Sequence, residues 1–309
     1  MQKRVGLIGL GNMGSRMTRN LLKAGFPVSV YDVRSAIVAE FVPLGVRGAH
    51  SPRDVAADVD VLFVMVMNYA QTDEVLFGPD GAVDGLREGA IVACTNTIAP
   101  SEIKAIAAKL AERGIRTLDA PVSGGAPGAE EGTLTFMVGA SADVAEEATE
   151  LLEAMGSRIF RCGEVGAGQT LKMINQLLVS VEMVSIAEAL VLGAKAGIDG
   201  QTLFDVTSAG SGNSEMFRRK VPKIIAGDFT SFGDLDIHVK DLDIVTRSAR
   251  ELGVPLFVTS VAGEIYRTAQ LMGKGKLDAC AVITVLEEIA GAKPRTDAAA
   301  DAPSPAIIG

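Results

Sequence analysis

The sequence predicts a parallel α/β domain in its first half, an all-helical domain in its second, and one long helix joining them. Three observations predict this. Short apolar runs alternate with helix-like stretches from Arg4 to about Arg161, the rhythm of βα units. From Gly166 onward few strand candidates are left. Between the halves, Gly166 to Ala196 contains no proline and places Leu171, Ile174, Leu178, Val181, Ile186, Ala189 and Leu192 near the helical period. A helix of roughly thirty residues spans about 45 Å, long for a surface helix and suited to a spine between two domains.

Composition sets the class. The chain has 309 residues, 48% hydrophobic and 22% charged, enough for two globular domains of 1–165 and 166–291. After Gly291 it turns to Ala, Asp, Pro and Ser, so 292–309 reads as a disordered tail. The net charge is −9 and the pI about 4.9, and no basic run resembles a nucleic-acid footprint. A small-molecule partner is expected, not a nucleic acid. Cys94, Cys162 and Cys280 stand far apart with no CxxC, so they read as reduced thiols. The N-terminus enters a strand pattern at once, leaving no room for a signal peptide, and no unbroken apolar run reaches the roughly 20 residues of a bilayer span. The expectation is a cytoplasmic protein without a membrane partner.

In chain order, Arg4 to Gly9 is a short apolar run that reads as a buried strand. It leads into Gly9-Leu-Gly11-Asn12-Met13-Gly14, then a helix from Met13 to Ala24 stopped by Gly25, then a strand Val28 to Asp32. Strand, GxGxxG, helix, strand and acid together form the dinucleotide fingerprint of a Rossmann-type fold. Gly9 permits the turn, Gly11 lets the backbone approach a pyrophosphate, and Gly14 lets the helix pack closely. The helix start offers N–H groups to phosphate. Asp32, 18 residues after Gly14, can accept bonds from the adenosine ribose hydroxyls and would repel a 2′-phosphate, which favours NAD over NADP. Arg34 weighs the other way, because an arginine there can hold that phosphate.

Val61 to Val66 is a continuous apolar strand of the kind a sheet covered on both faces contains. Met67 and Asn68 leave its carboxyl end, where ligands bind in such sheets. Ile91 to Cys94 is the next strand. Asn96 and Thr97 follow it, placed either to meet the nicotinamide side of a cofactor or to cap the helix opened by Ser101 and Glu102. Arg116 to Asp119 runs into a small-residue loop, where Ser123 and the amides of Gly124 and Gly125 can bind a carboxylate. Leu134 to Val138 and Arg158 to Arg161 read as the last strands. In the spine helix, Lys172 and Asn175 sit three apart and so share a face. The helical half breaks near Gly197, Gly210 to Asn213, Gly227-Asp228 and Gly253 to Pro255. Lys240 opens a helix there, either reaching an active cleft or pairing on the surface with Asp241 or Asp243.

With these residues in place, the chain resembles the β-hydroxyacid dehydrogenases of the 3-hydroxyisobutyrate dehydrogenase type, related to 6-phosphogluconate dehydrogenase. The resemblance covers about 1–290 and rests on Gly6 to Gly14, Asp119 to Gly125, Gly166 to Asn175, and Lys240-Asp241-Leu242, in that order. It implies a Rossmann-type domain joined by a long helix to a helical domain, in homodimers or homotetramers. It implies that Lys172 is the catalytic lysine, Asn175 its substrate-orienting partner, Ser123, Gly124 and Gly125 the substrate binders, and Thr97 and Lys240 residues that approach the cofactor. The loop Cys94-Thr-Asn-Thr97 departs from the pattern of many relatives, an acid, a small residue, then Ser-Thr, and leaves Asn96 without an assigned role. Val66 to Gln71 and Lys240 to Val245 look most like the L-threonate dehydrogenase branch.

The implied reaction is hydride transfer from a carbinol carbon to NAD with loss of the hydroxyl proton. His50 and His238 lie outside every motif, and no His, Cys and Asp cluster suggests a metal site. Lys172 is therefore the expected general base in oxidation and general acid in reduction. A free lysine titrates near 10.4, so burial or a cationic neighbour such as Lys240 is expected to lower it. The expected substrate is a small hydroxy acid, with L-threonate going to its 2-oxo acid. The alternatives are 3-hydroxyisobutyrate and the reduction of tartronate semialdehyde. From another class, a nucleotide-binding regulator without turnover remains, against which Lys172, Asn175 and the Ser123 loop argue together.

Overall fold

The computed structural model describes residues 2–231 and 233–295. Its contacts divide the chain into two compact units, Met1–Ile174 and Asn175–Gly309.

The first unit is built on one sheet. Its strands are β1 Val5–Ile8, β2 Val28–Tyr31, β3 Arg47–Gly48, β4 Val61–Val64, β5 Ile91–Cys94, β6 Arg116–Asp119, β7 Val122–Ser123, β8 Leu134–Gly139 and β9 Gly156–Gly163. The order is β3-β2-β1-β4-β5-β6-β8-β7, with β9 also on β8. From β3 to β6 every pairing is parallel. β8 then runs antiparallel to β6 and β7, and β9 runs parallel to β8. Parallel strands need crossovers, here supplied by helices α1 Gly14–Lys23, α2 Ser35–Phe41, α3 Pro52–Ala56, α4 Tyr69–Phe77 and α5 Pro100–Ala111. Helices on both faces explain why β1, β4 and β5 are apolar at every position: Leu7 and Phe63 face one core, Ile8, Leu62 and Val64 the other. The chain leaves β1 toward β2 and returns through β4 on its other side. That reversal opens a crevice at the carboxyl ends of β1 and β4, where ligands bind in doubly wound sheets.

Two helices here are absent from the sequence reading: α6 Gly125–Glu131, which turns the Ser123 loop back toward β8, and α7 Ala142–Met155. α8 Ala167–Lys195 is the long helix. The division by contacts falls within it, past the expected boundary at 165/166, so its first two turns belong to the first unit.

The face that α8 buries differs from the expected one. Leu171, Ile174, Leu178, Ala189 and Leu192 are exposed and Val181 is half-buried, so that of the expected set Ile186 alone is buried, whereas Met173, Gln176, Ser180, Met183, Ala187 and Leu190 line the buried side. The helix is apolar nearly all round, so periodicity of Leu and Ile alone cannot choose a side. By length and composition it could also cross a bilayer, a test the sequence reading had it fail. Its buried polar positions are bonded within the fold, however: Gln176 Nε2 donates to Asp241 Oδ2 at 2.6 Å, and Ser180 Oγ lies 3.0 Å from His238 Nδ1.

The second unit continues with α9 Gly200–Ala209, α10 Glu215–Ile225, α11 Leu235–Glu251, α12 Phe257–Ala269 and α13 Ile283–Ala290 around a core of its own. Lys240 lies inside α11 instead of opening it. The expected disordered tail begins too early. Arg295 pairs with Glu287 and lies over the Phe229 ring, and a Cβ on Gly200 would lie 2.4 Å from the Pro294 carbonyl oxygen. These contacts fix the chain to Arg295; positions 296–309 lie outside the described residues.

Candidate active site

The glycine turn after β1 gives each of its glycines a separate reason. Gly9 has φ +98°, and a Cβ on it would sit 2.4 Å from the Met65 carbonyl oxygen at the end of β4. At Gly14 a Cβ would sit 1.9 Å from the Gly9 carbonyl oxygen, so the start of α1 packs directly on the turn. Gly11 is required by neither: its φ is ordinary, and a Cβ there would meet no protein atom within 4 Å. The space beside Gly11 is open, as the close approach of a pyrophosphate requires. Asn12 is exposed, Met13 packs partly on the core, and no side chain caps α1. The residues present fit a dinucleotide.

Asp32 follows β2 by one residue and is buried. Its Oδ2 accepts from the Leu10 N–H at 2.8 Å and from Arg34 Nη2 at 3.0 Å; Oδ1 accepts from the Arg34 N–H and Nε, both at 2.9 Å. Burial works to raise the carboxyl pKa, but the Arg34 and Leu10 hydrogen bonds outweigh it, and the group is held below its ordinary value. Asp32 is an anion tied to the glycine turn.

After β4, Met67 is exposed and its N–H donates to Gln71 Oε1, while Asn68 Oδ1 accepts the Gln71 N–H and caps α4. Asn68 thus has a structural task at this position. After β5, Asn96 is buried. Its Nδ2 donates to Thr72 Oγ1 at 2.8 Å, and its Oδ1 has no hydrogen-bond partner. Asn96 does not cap α5; Glu102 does so by accepting the Ala99 N–H. Thr97 is half-buried between two residues held by one side chain. Gln169 Nε2 donates to the Asn96 carbonyl at 2.9 Å, and Gln169 Oε1 accepts the Ile98 N–H at 3.1 Å.

Gln169 belongs to the first turn of α8, and that turn is seated tightly. Gly166 has φ +100°, and a Cβ on Gly168 would lie 2.3 Å from the Met137 carbonyl oxygen. Asp119, wholly buried at the end of β6, accepts the Gly166 and Gln169 N–H groups on Oδ2, at 2.9 and 3.2 Å. A carboxylate at a helix N-terminus is favoured, but burial is the larger effect and raises the Asp119 pKa to about 6. One turn further on, Lys172 is only 8% exposed. Asn175, three residues later on the same helix, is half-buried and donates to Gln176 Oε1.

In the Ser123 loop, Gly124 and Gly125 have φ +128° and +64°, a pair that favours glycine on backbone grounds alone. Ser123 is half-buried and pairs with Thr135 in the sheet. In the second unit, Lys240 Nζ lies 2.8 Å from Oδ1 of buried Asp241, the pairing expected of one of the two readings. Asp243 pairs instead with Arg267. All three cysteines are free. Among the described residues no group of His, Cys, Asp or Glu is gathered to hold a metal.

The structure thus brings Gly9, Gly11, Gly14, Asp32 and the end of β4 to one crevice, and places Lys172 one turn after the junction of Asp119, Gln169 and the Thr97 loop. Gln169 and Asp119 were missed in the sequence.

Comparisons with known proteins agree with this fold. Residues 4–163 match the model of the NAD binding domain of 6-phosphogluconate dehydrogenase, and residues 166–286 that of the NAD-binding domain of NADP-dependent 3-hydroxyisobutyrate dehydrogenase. The chain is 38% identical to an L-threonate dehydrogenase of Cupriavidus necator, over 94% of this chain and 98% of that one. It is 39% identical to a 2-(hydroxymethyl)glutarate dehydrogenase of Eubacterium barkeri, over 93% and 96%. The crystal structure of a 3-hydroxyisobutyrate dehydrogenase from Salmonella typhimurium superposes with a TM-score of 0.84 at 37% identity, over 92% of this chain and all of that one. The chain belongs to the β-hydroxyacid dehydrogenase family of the 3-hydroxyisobutyrate dehydrogenase type, and is an NAD(P)-dependent enzyme acting on CH–OH groups.

Proposed function

We propose that the enzyme oxidises a small sugar acid, with L-threonate going to its 2-oxo acid, and that it prefers NAD. The observation that carries the reading is the buried Lys172, set on α8 one turn beyond a fixed junction, in a chain that aligns with an L-threonate dehydrogenase along nearly all of both lengths. When bound, the nicotinamide supplies the two-electron acceptor. Lys172, as the neutral amine, takes the hydroxyl proton while the carbinol carbon gives up its hydrogen with both electrons as hydride. In the reverse direction Lys172 returns that proton. Asn175 hydrogen-bonds the substrate without changing charge, and Ser123 with the amides of Gly124 and Gly125 holds its carboxylate. Thr97 and Lys240 act on the cofactor; these last roles rest on the family resemblance. The preference for NAD follows from Asp32, a buried anion where a 2′-phosphate would have to sit.

The test is NADH formation at 340 nm across a panel of hydroxy acids, with NAD and NADP in parallel. Turnover of L-threonate with NAD is the expected result. Turnover of 3-hydroxyisobutyrate alone, or of tartronate semialdehyde in the reducing direction, would replace L-threonate as the substrate and keep the lysine chemistry. Silence on every substrate, with NAD binding demonstrated, would favour a regulator. We also propose that the enzyme works as a homodimer or homotetramer, supported by the exposed apolar face of α8.

A further inference from the structure

Oxidising a carbinol group takes an acceptor for the hydride and a base for the proton, and the reaction slows steeply when their separation drifts. One side chain of the first unit reaches from the helix of the base to the loop of the acceptor. After β5, the run Thr95 to Ile98 is braced on three sides. Thr95 Oγ1 donates to the Val64 carbonyl of β4 at 3.0 Å, Asn96 Nδ2 donates to Thr72 Oγ1 of α4 at 2.8 Å, and Gln169 of α8 takes the main chain on either side of Thr97. Thr97 is the one residue of the four that is not buried. Gln169 is itself wholly buried and makes three bonds: its N–H donates to Asp119 Oδ2, its Nε2 donates to the Asn96 carbonyl, and its Oε1 accepts the Ile98 N–H. Neither backbone partner in the loop can exchange roles, so the carboxamide has one orientation. Lys172 stands three residues further along the same helix face.

We propose that Gln169 is a positioning residue that holds the Thr97 loop in register with Lys172, and so sets the distance between the hydride acceptor and the base. The proposal rests on the reading of Lys172 as the proton acceptor and of Thr97 as a residue on the cofactor side. Gln169 touches neither reacting group. A slip of the loop along α8 would break both side-chain bonds together and leave a carbonyl and an N–H buried without partners. Asn96 serves the same clamp, its carbonyl seated on Gln169 and its side chain tied to α4.

The clamp needs a donor and an acceptor on one planar end at the reach of Gln169. Methionine matches the length and supplies no donor. Glutamate supplies both only while protonated: its O–H can donate to the Asn96 carbonyl while its other oxygen accepts the Ile98 N–H. Ionised, it sets a carboxylate against that carbonyl. Gln169→Glu is therefore a clamp that acid closes and base opens.

The experiment compares wild type, Gln169→Met and Gln169→Glu by steady-state kinetics, by calorimetry with NAD and by thermal melts. The substrate is the hydroxy acid turned over in the panel, with hydrogen or deuterium at its carbinol carbon. In Gln169→Met, kcat should fall on the order of 10- to 100-fold and show the full isotope effect of a rate-limiting hydride transfer. KM and the NAD dissociation constant should stay within about three-fold, because binding is not what the clamp supplies. For Gln169→Glu, kcat divided by wild-type kcat should decline as the pH rises from about 5.5 to about 9, the range in which a buried glutamate ionises. The division removes the ionisations that both proteins share, Asp119 and Lys172 among them. A folded Gln169→Met with wild-type kcat, losing melting temperature alone, would overturn the assignment and leave the lysine chemistry standing. A flat ratio for Gln169→Glu would do the same, and it decides alone if Gln169→Met does not fold. Wild type that turned over no hydroxy acid would remove the lysine reading and the assignment together.

Discussion

At the scale of single residues, two buried charged side chains carry separate predictions, Lys172 for the proposed chemistry and Asp119 for stability. Lys172→Ala should abolish turnover while calorimetry finds NAD binding nearly intact, because the lysine is asked to move a proton and not to hold the nucleotide; normal turnover in this variant would end the lysine mechanism. Asp119 gives a pH signature. Burial raises its pKa to about 6 in the folded protein, above the roughly 3.9 of an unfolded aspartate. A carboxyl raised on folding contributes stability below pH 4 and loses it as the pH climbs through 6. At neutral pH the ionised form costs about 3 kcal/mol. Asp119→Asn keeps the acceptor for the Gly166 and Gln169 N–H groups but does not titrate. Melting temperatures measured from pH 5 to 7.5 should fall more steeply for wild type than for Asp119→Asn, and parallel curves would show that Asp119 is not the titrating group. Lys172 could be singled out in the sequence because a motif surrounds it, and the structure buries it. Gln169 was not, because its role depends on a loop some seventy residues earlier, and no local spacing encodes the hydrogen bonds it makes on either side of Thr97.

At the scale of elements, the glycines separate architecture from binding. Gly14→Ala and Gly168→Ala each drive a Cβ into a backbone oxygen, at 1.9 and 2.3 Å, where no side chain can yield. Each should cost at least about 1–3 kcal/mol in a denaturant titration. Gly11→Ala meets no protein atom within 4 Å. It should leave stability within about 0.5 kcal/mol and still weaken NAD binding measured by calorimetry. If Gly11→Ala bound NAD as wild type does, the turn would not be the pyrophosphate site. The βα order of the first half could be read in advance because continuous apolar runs and glycine stops are local signals. β1, β2, β4 and β5 fall within the expected stretches. The antiparallel turn of β8 against β6 and β7 could not, since strand direction is set by pairing across the sheet. Neither could the buried face of α8. Its exposed and buried sides are both rich in Leu, Ile, Val and Met, and what marks the inside is where Gln169, Gln176 and Ser180 find partners.

At the scale of the whole molecule, the inverted face of α8 has a consequence for assembly. Leu171, Ile174, Leu178 and Leu192 recur along one side of the helix, and Leu178 and Leu192 are 61% and 71% exposed. From the first to the last, such a stripe runs roughly 30 Å at 1.5 Å per residue. Single exposed leucines are ordinary, but four large apolar side chains on one side of one helix, with Glu182, Ser185 and Ala189 between Leu178 and Leu192, form a face that another chain can cover. A second copy of the same chain is the simplest cover, because a two-fold axis across the helix sets the stripe against itself. Each exposed leucine buried in that contact would contribute about 1.5–3 kcal/mol, so charges placed there should be decisive. Wild-type protein should sediment as a dimer or larger at micromolar concentration. Leu178→Glu combined with Leu192→Glu should sediment as a monomer with its far-ultraviolet circular dichroism unchanged, since both side chains already face solvent within the single chain. Wild type running as a monomer would refute self-association, and a double variant that stayed assembled would move the interface away from α8.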